Sequence, residues 1–274
     1  MGFTDAQILL LLLAVLQGLT EFLPISSSGH IGLLKVYLGE EYNLEAFPSM
    51  GTIVILLHLG TLLSVLFFYR SPVALLLKGF FGIGQKQDVV AQRRYSLFLL
   101  IATLPAAIIG LLLQSWLGTD SDFFESSSLI AFCLIITSLF LFSVKGKSEG
   151  GSNLDFQKSL LIGCAQACAI LPGISRSGAT IVAAQHLKIP IKKAEEFSFL
   201  LAIPVIAGGA VLSLPDADFG ELGVFNIFLS IFVSALVGLL ALFLLNKVLK
   251  KKKLHWFSLY CFLLAFFVLC LGNS

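Results

Sequence analysis

The chain has 274 residues, of which 57% are hydrophobic and only 12% are charged, and its formal net charge is +2. Soluble domains carry about 25% charged residues, so this composition excludes a large solvated surface. The mean hydropathy of +0.96 indicates that lipid is the main solvent of the folded chain.

Apolar stretches that reach the roughly 20 residues needed to cross a bilayer follow one another along the chain. The N-terminal apolar run has no basic residue before it and no clear cleavage site, so we expect it to be retained. No polar stretch is long enough for a separate soluble domain. We therefore predict an all-α polytopic membrane protein with one membrane domain, 1–274, and spans at 47–69, 96–117, 127–144, 197–214, 224–245 and 256–272.

The basic residues predict the direction of each span. Of the 18 Lys and Arg residues, 16 lie in connections at 70–94, 145–158, 188–193 and 247–253, which the positive-inside rule assigns to the cytoplasm. The acidic connections 40–45, 119–125 and 215–221 lack Lys and Arg and are assigned to the outside, as are both termini. Two stretches, 6–38 and 159–187, must then begin and end on one side, so each is predicted to be a re-entrant or broken helical hairpin.

These two returning stretches resemble each other in sequence. One starts outside and the other inside, and both contain proline, serine and glycine. We therefore predict an inverted-topology repeat, about 1–144 and 155–274, whose broken helices meet near the midplane and form the functional site. An offset of 149 residues superimposes Gln17 on Gln166, Ile25 on Ile174, Ser26 on Ser175, Ser28 on Ser177 and Gly29 on Gly178.

The carboxylate and the basic residues that lie away from the loops fall in the same two stretches. Glu21 is the one carboxylate inside an apolar segment, and Lys35 and Arg176 are the two basic residues outside the four basic connections. A charge at the bilayer centre costs about 2.5–3.5 kcal/mol on insertion scales, so such a residue is functional by default. Lys35 can extend to the interface. A buried structural pair is the alternative for Glu21 and Arg176.

The segments 26–29 and 175–178 are predicted to begin half-helices. Free N–H groups and the positive dipole end of a helix favour an anion such as phosphate, and Arg176 adds a bidentate donor. Gln17 and Glu21 share a helix face, and Ser27 and His30 are three residues apart. Together they predict a phosphate site, although serine in membrane helices also serves close packing and a lone interior histidine can be structural.

Several other residues are interpreted as structural. His58 is interpreted as a packing or helix–helix hydrogen-bonding residue, and Glu195 and Glu196 as interfacial charges. The five cysteines lie in apolar stretches and are odd in number, so they are interpreted as small core residues, not as a disulfide or metal framework.

At these motifs the sequence resembles the undecaprenyl-diphosphate phosphatase family, also called the bacitracin-resistance protein family. The first motif, residues 17–30, reads QGLTEFLPISSSGH, and the second, residues 172–180, reads PGISRSGAT. The resemblance continues through residues 58–61 and 196–204 and covers nearly the whole chain. The family takes Glu or Gln at the position of Gln17. Gln supplies one charge fewer, which weakens the case for a metal held by two carboxylates.

The resemblance implies hydrolysis of the C55 isoprenoid diphosphate to the monophosphate and inorganic phosphate, which recycles the lipid carrier of cell-wall synthesis. It implies an active site that opens to the outer face of the bacterial plasma membrane and a divalent cation, Mg²⁺ or Ca²⁺, with Glu21 as the candidate ligand. The expected partners are the lipid and the membrane, with no nucleic acid, and a homo-oligomer is left open. The candidate catalytic residues are Glu21, Ser27, His30 and Arg176, and the candidate substrate-binding residues are Gln17, Ser26, Ser28, Ser175, Ser177 and Thr180.

The nucleophile, the role of Glu21 and the function itself each have alternatives. Ser27 or His30 attacks the terminal phosphorus while the other assists, and Ser27 is favoured because it lies nearer the half-helix start. Glu21 orients the base or a cation, or takes the proton. The alternative function is polyprenyl-phosphate transport through the same anion site, because inverted repeats with broken helices are a transporter architecture.

Overall fold

The computed structural model describes residues 5–38, 50–117, 126–147, 150–219 and 222–271. Within these ranges the chain is helical and has no β-strand, which confirms the predicted all-α class. The helices are α1 (Asp5–Phe22), α2 (Ser27–Leu38), α3 (Met50–Phe68), α4 (Arg70–Phe81), α5 (Lys86–Leu117), α6 (Ser127–Phe142), α7 (Phe156–Ala167), α8 (Arg176–His186), α9 (Ile191–Ser213), α10 (Val224–Lys250) and α11 (Trp256–Leu271).

Four of the described helices, α3, α5, α9 and α10, are long and apolar enough to cross a membrane, and α6, α11 and most of α1 are apolar but shorter. Their outer surfaces expose large apolar side chains, among them Phe67, Phe228 and Phe232. These features fit a membrane protein with several spans. The acidic connections 40–45 and 119–125, residues 220–221 and both chain ends lie outside the described residues.

Each stretch that was predicted to return to its starting side consists of two helices separated by a short break. The first break, residues 23–26, separates α1 from α2, and the second, residues 171–175, follows the single 3₁₀ turn Cys168–Ile170 that ends α7. Both breaks contain a proline, which cannot donate a helical hydrogen bond. Ser26 and Gly173 have positive φ values of 70° and 99°, so the chain turns sharply before α2 and α8 begin.

Close packing between helices from different parts of the chain holds the two breaks in position. Helix α1 packs on α10, and α7 packs on α5. A Cβ atom on Gly18 would lie 2.8 Å from Val237 Cβ, and one on Gly163 would lie 2.5 Å from the carbonyl oxygen of Ala102. Small residues permit this close approach of helices in membrane proteins.

The predicted boundaries are wrong around the first basic connection. Residues 70–94 were taken as a loop, but they form α4 and the beginning of α5, which starts at Lys86 instead of residue 96. Helix α4 exposes Leu75 and Phe80, and Arg93 Nε donates to the carbonyl oxygen of Gly79 at 2.9 Å. The charges in this region were taken to indicate a loop in water. A helix end can carry them as well, because long basic side chains extend from the helix into water.

The cysteine interpretation is correct for two residues and wrong for three. Cys133 and Cys261 are buried, whereas Cys164, Cys168 and Cys270 are exposed, and all five are free thiols. The three exposed cysteines also have apolar neighbours in the sequence. Such neighbours do not indicate burial here, because the outer surface of a membrane protein is itself apolar. None of the five forms a disulfide.

Candidate active site

The two helix breaks meet in the interior. A Cβ atom on Gly29 would lie 3.0 Å from Gly173 Cα, and one on Gly178 would lie 3.3 Å from Pro24 Cβ. The Ser26 hydroxyl links the two breaks directly, because its Oγ accepts hydrogen bonds from the backbone N–H of Gly173 at 3.1 Å and of Gly29 at 3.2 Å. The two sequence motifs therefore form one structural unit.

Helices α2 and α8 begin with the same arrangement of serines. Ser26 Oγ accepts from Gly29 N at 3.2 Å, and Ser175 Oγ accepts from Gly178 N at 3.1 Å. In each motif the serine two residues later lies 3.3 Å away, between the Oγ atoms of Ser26 and Ser28 and of Ser175 and Ser177. These caps satisfy one N–H group of each first turn and leave the other early N–H groups available to an anion.

Glu21 is the centre of the site. Its Oε1 accepts a hydrogen bond from Arg176 Nη2 at 2.6 Å, and its Oε2 accepts from Ser27 Oγ at 2.7 Å and from Gln17 Nε2 at 2.9 Å. The carboxylate is buried, so these donors compensate for its removal from water. Three of the predicted catalytic residues and one predicted binding residue thus meet at one side chain.

His58 belongs to this site, although it was interpreted as a packing residue. Its Nε2 lies 3.6 Å from Glu21 Oε2, and its Nδ1 lies 2.8 Å from the carbonyl oxygen of Val54. That carbonyl is an acceptor, so Nδ1 carries a proton and Nε2 faces the carboxylate. The signal that could have found His58 is an ionisable group in the middle of an apolar span.

His30 lies to one side of the site. Its Nδ1 is 2.7 Å from the carbonyl oxygen of Ser26, and its Nε2 is 2.7 Å from the hydroxyl of Tyr260. The two rings stack with their centroids 5.7 Å apart. The Ser27 hydroxyl is directed to Glu21 and not to this imidazole, so the expected Ser27–His30 pairing is not the one that forms. Nothing in the sequence pointed to Tyr260.

A cavity of about 330 Å³ opens beside Glu21. One part of its lining is polar, with Thr20, Glu21, Ser26, Ser27, Ser28, His58, Ser175 and Arg176. The other part is apolar and comes mainly from α3 and α9, with Val54, Ile55, Val205, Ile206, Gly209 and Ala210. The cavity therefore combines a polar end with an apolar wall.

Gln17, Ser177 and Thr180 are buried behind the cavity and do not line it. The Thr180 hydroxyl donates to the carbonyl oxygen of Arg176 at 2.9 Å and lies 2.6 Å from Ser198 Oγ. These contacts hold the first turn of α8, which carries Arg176. The binding role of Thr180 stays a prediction.

One arginine nitrogen at the site has no hydrogen-bond partner in the described part of the chain. Within the described residues, Arg176 Nη1 is buried and makes no hydrogen bond, whereas Nη2 is bonded to Glu21. A buried guanidinium N–H without an acceptor is costly, and an anion in the adjacent cavity would provide a charge-assisted acceptor.

The side chains present do not fit a cation site made of protein ligands alone. The described residues contain no group of three or more His, Cys, Asp and Glu that could hold a metal. Both oxygens of Glu21 already accept hydrogen bonds from Arg176, Ser27 and Gln17. The divalent cation and the metal role of Glu21 stay predictions.

Glu195 was interpreted as an interfacial charge, and this is wrong. It is 4% exposed, and its Oε1 accepts hydrogen bonds from the Tyr69 hydroxyl at 3.2 Å and from Asn246 Nδ2 at 2.9 Å. An aromatic column connects this cluster with the site: Tyr69 stacks on Phe199 at 5.9 Å between centroids, and Phe199 contacts Phe22 edge-on at 5.6 Å.

The family described as Bacitracin resistance protein BacA matches residues 10–267. The chain belongs to this family. Undecaprenyl-diphosphatase of Korarchaeum cryptofilum (strain OPF8) is 36% identical over 266 residues, which cover 95% of this chain and 97% of that protein. Undecaprenyl-diphosphatase of Thermosipho africanus (strain TCF52B) is 37% identical over 267 residues, covering 96% and 99%. Undecaprenyl-diphosphatase 1 of Shouchella clausii (strain KSM-K16) is 32% identical over 267 residues, covering 94% and 93%. The family resemblance of the two motifs is thereby confirmed.

Proposed function

We propose that this chain hydrolyses undecaprenyl diphosphate to undecaprenyl phosphate and inorganic phosphate. Relatives that align over nearly their full length carry the name of this activity. The observation that carries the proposal is the convergence of Ser27 and Arg176 on Glu21 beside one cavity. A nucleophile, a proton acceptor and an anion-binding donor in contact are what phosphoryl transfer requires.

The diphosphate binds with its terminal phosphate at the starts of α2 and α8. Arg176 Nη1, which has no acceptor among the residues that the structure describes, donates to that phosphate, and the free N–H groups of the two first turns add further donors. The apolar wall from α3 and α9 takes the first isoprene units, and the rest of the tail extends into lipid.

Ser27 Oγ attacks the terminal phosphorus while its proton passes to Glu21 Oε2, 2.7 Å away. The bridging P–O bond breaks, undecaprenyl phosphate leaves, and water then hydrolyses the phosphoserine to release inorganic phosphate. His58 Nε2, 3.6 Å from Glu21, accepts the proton from the carboxyl and restores the base. His30 is the alternative nucleophile, but both of its ring nitrogens have partners in Ser26 and Tyr260, which favours Ser27.

We also propose that a divalent cation takes part in the reaction, because the family resemblance implies one. Glu21 would hold it together with substrate phosphates and water, because Mg²⁺ usually takes only one or two ligands from carboxylates. Glu21 is its candidate protein ligand. When bound, the cation would neutralise charge on the phosphate oxygens. The proton transfers of the reaction are carried out by this chain's own side chains.

We also propose that the chain forms an inverted-topology repeat in a plasma membrane. Its re-entrant helices meet near the midplane, and its active site opens to the outer face. The reciprocal pairing of α1 with α10 and of α7 with α5 supports the repeat. The aromatic column of Phe22, Phe199 and Tyr69 supports the outward opening, because it separates Glu21 from the end of the molecule where Lys193 and Lys250 lie.

The test is phosphate release from C55 diphosphate by purified protein in detergent, with and without a chelator. We expect stoichiometric conversion to the monophosphate and loss of activity after chelation. Transport through the same anion site needs no nucleophile, so binding of the lipid without phosphate release would favour transport and overturn the proposal. The names of the relatives favour hydrolysis.

A further inference from the structure

A second, larger cavity lies away from Glu21, where three helices begin. It has a volume of about 1010 Å³ and shares no lining residue with the cavity at Glu21. Its walls come from the first turns of α5, from residues 153–158 around the start of α7, and from the first turns of α9. Lys193 lines this cavity and Val205 lines the cavity at Glu21. The two residues are about 18 Å apart along α9, at a rise of 1.5 Å per residue.

The charged residues that line this second cavity are mainly basic. Four cationic side chains face two carboxylates, which leaves two net positive charges; the charged residues are Lys86, Arg94, Lys158, Lys193, Asp155 and Glu196. One carboxylate is already engaged, because Lys158 Nζ lies 2.9 Å from Asp155 Oδ2. Within the described residues, Lys86 and Arg94 form no ion pair with a carboxylate. On the α9 side, Glu196 interacts electrostatically with Lys193. The net positive charge therefore lies on the α5 side of the cavity, where an anion would be attracted most strongly.

Several of the basic groups are already oriented by the fold. Lys193 Nζ donates to Asn153 Oδ1 at 3.2 Å, and Lys158 Nζ donates to the carbonyl oxygen of Asn153 at 2.8 Å. The Arg94 guanidinium lies over the ring of Phe98, 5.3 Å from its centroid. Oriented donors lose less conformational freedom when a ligand binds, so these contacts favour a phosphate over diffuse counter-ions.

The basic cavity is continuous with an apolar surface. Leu97 lies one helical turn beyond Arg94 on α5, and Leu161 lies one turn beyond Lys158 on α7, and each side chain is 52% exposed. Residues three apart share a helix face, and α5 and α7 pack against each other. The two leucines therefore continue the helix faces that carry Arg94 and Lys158, and Val90, which lines the cavity, is also exposed. A ligand with an anionic head and apolar chains matches both parts.

We propose that this cavity binds the phosphate headgroup of an anionic membrane lipid, with the acyl chains lying along α5 and α7. Basic pockets between membrane helices on the positively charged side of a protein bind lipid headgroups in this way. The lipid would hold the ends of α5, α7 and α9 together. The inference rests on the cavity and not on the proposed function.

The test measures lipid binding to the purified protein in a neutral detergent by native mass spectrometry. Phosphatidylglycerol is compared with phosphatidylcholine of the same acyl chains, and inorganic phosphate is added as a competitor. We expect selective retention of phosphatidylglycerol that millimolar phosphate does not displace, because the acyl chains add apolar contacts. Equal retention of phosphatidylcholine, or displacement by inorganic phosphate alone, would overturn the assignment to a lipid headgroup.

The variant Arg94→Gln/Lys193→Gln removes two cavity charges. The matched control, Lys78→Gln/Lys192→Gln, removes the same charge from exposed positions that do not line the cavity. We expect the cavity variant to bind phosphatidylglycerol about tenfold more weakly or worse, since charge-assisted hydrogen bonds are lost, and the control to bind as the parent does. Both should keep the parent hydrolysis rate in neutral detergent, which shows that they are folded. Equal weakening in both variants would mean general surface attraction and would contradict the proposal.

Discussion

Ser27 donates its hydroxyl proton to Glu21 across the break between α1 and α2, with 2.7 Å between the two oxygen atoms. The break makes this contact possible, because it turns the start of α2 back toward the last turn of α1. The same carboxylate is held from the other motif by Arg176 at 2.6 Å. The nucleophile, its base and the anion-binding group are thus coupled through one side chain, and each can be tested separately.

Glu21→Gln should reduce turnover by about 10²–10⁴-fold, the range for loss of general acid–base catalysis. The amide cannot accept the Ser27 proton and loses the ion pair with Arg176. The measurement is kcat for phosphate release at equal amounts of membrane-inserted protein. Gln17→Glu is the control, because the family takes Glu at this position and a protonated carboxyl can still donate to Glu21. Near-parent turnover in Glu21→Gln would remove the carboxylate from the mechanism.

Arg176→Lys should lower kcat/KM by about 10²–10³-fold, the usual cost of removing one electrostatic donor from the transition state. Lysine keeps the positive charge but cannot bond to Glu21 and to a phosphate oxygen through two fixed N–H groups. Steady-state kinetics on C55 diphosphate measures the loss, and membrane abundance serves as the folding control. If the lysine variant is fully active, Arg176 is a structural counter-charge for Glu21.

His58→Gln should lower kcat by about 10²-fold, because no group then accepts the proton from the Glu21 carboxyl. His255→Gln is the matched control, since that histidine precedes α11 and does not line the catalytic cavity. The two variants are compared in kcat and KM over a range of pH. Equal, small effects of both substitutions would return His58 to a packing role.

Gly163→Ala should destabilise the protein by about 1–3 kcal/mol, the usual cost of overpacking. The added Cβ would lie 2.5 Å from the carbonyl oxygen of Ala102, so α7 would have to move away from α5. Gly208→Ala is the control, because a Cβ there has no neighbour within 4 Å. Thermal unfolding in detergent should give a lower Tm for the first variant only. A Tm equal to that of the parent in Gly163→Ala would contradict the close packing of α5 and α7.

The core of the site followed from local sequence. Gln17 and Glu21 were predicted to share a helix face, and they form a 2.9 Å hydrogen bond. The serine and glycine spacing predicted two helix starts, and Ser26 and Ser175 cap them. These features depend on spacing within a few residues, which a single sequence contains.

The features that were missed depend on how helices pack. His58 meets Glu21 because α3 packs against α1, and that packing is not visible in the local sequence. His30 was expected to pair with Ser27, but its partner Tyr260 lies 230 positions away in the chain. The start of α5 was missed because Lys86 and Arg94 were taken as loop residues, whereas they lie on a helix and line the basic cavity.

The most direct test of the mechanism is a rapid quench of the enzyme with C55 diphosphate labelled in the terminal phosphate, followed by acid treatment and peptide mapping. A phosphoserine survives acid, whereas a phosphohistidine does not. We expect an acid-stable label on the peptide that contains Ser27, and no label in Ser27→Ala. An acid-labile label that persists in Ser27→Ala would assign the attack to His30 and contradict the role given to Ser27. The absence of label in the parent enzyme under both acid and alkaline quench would mean direct attack by water, with Ser27 reduced to a binding group.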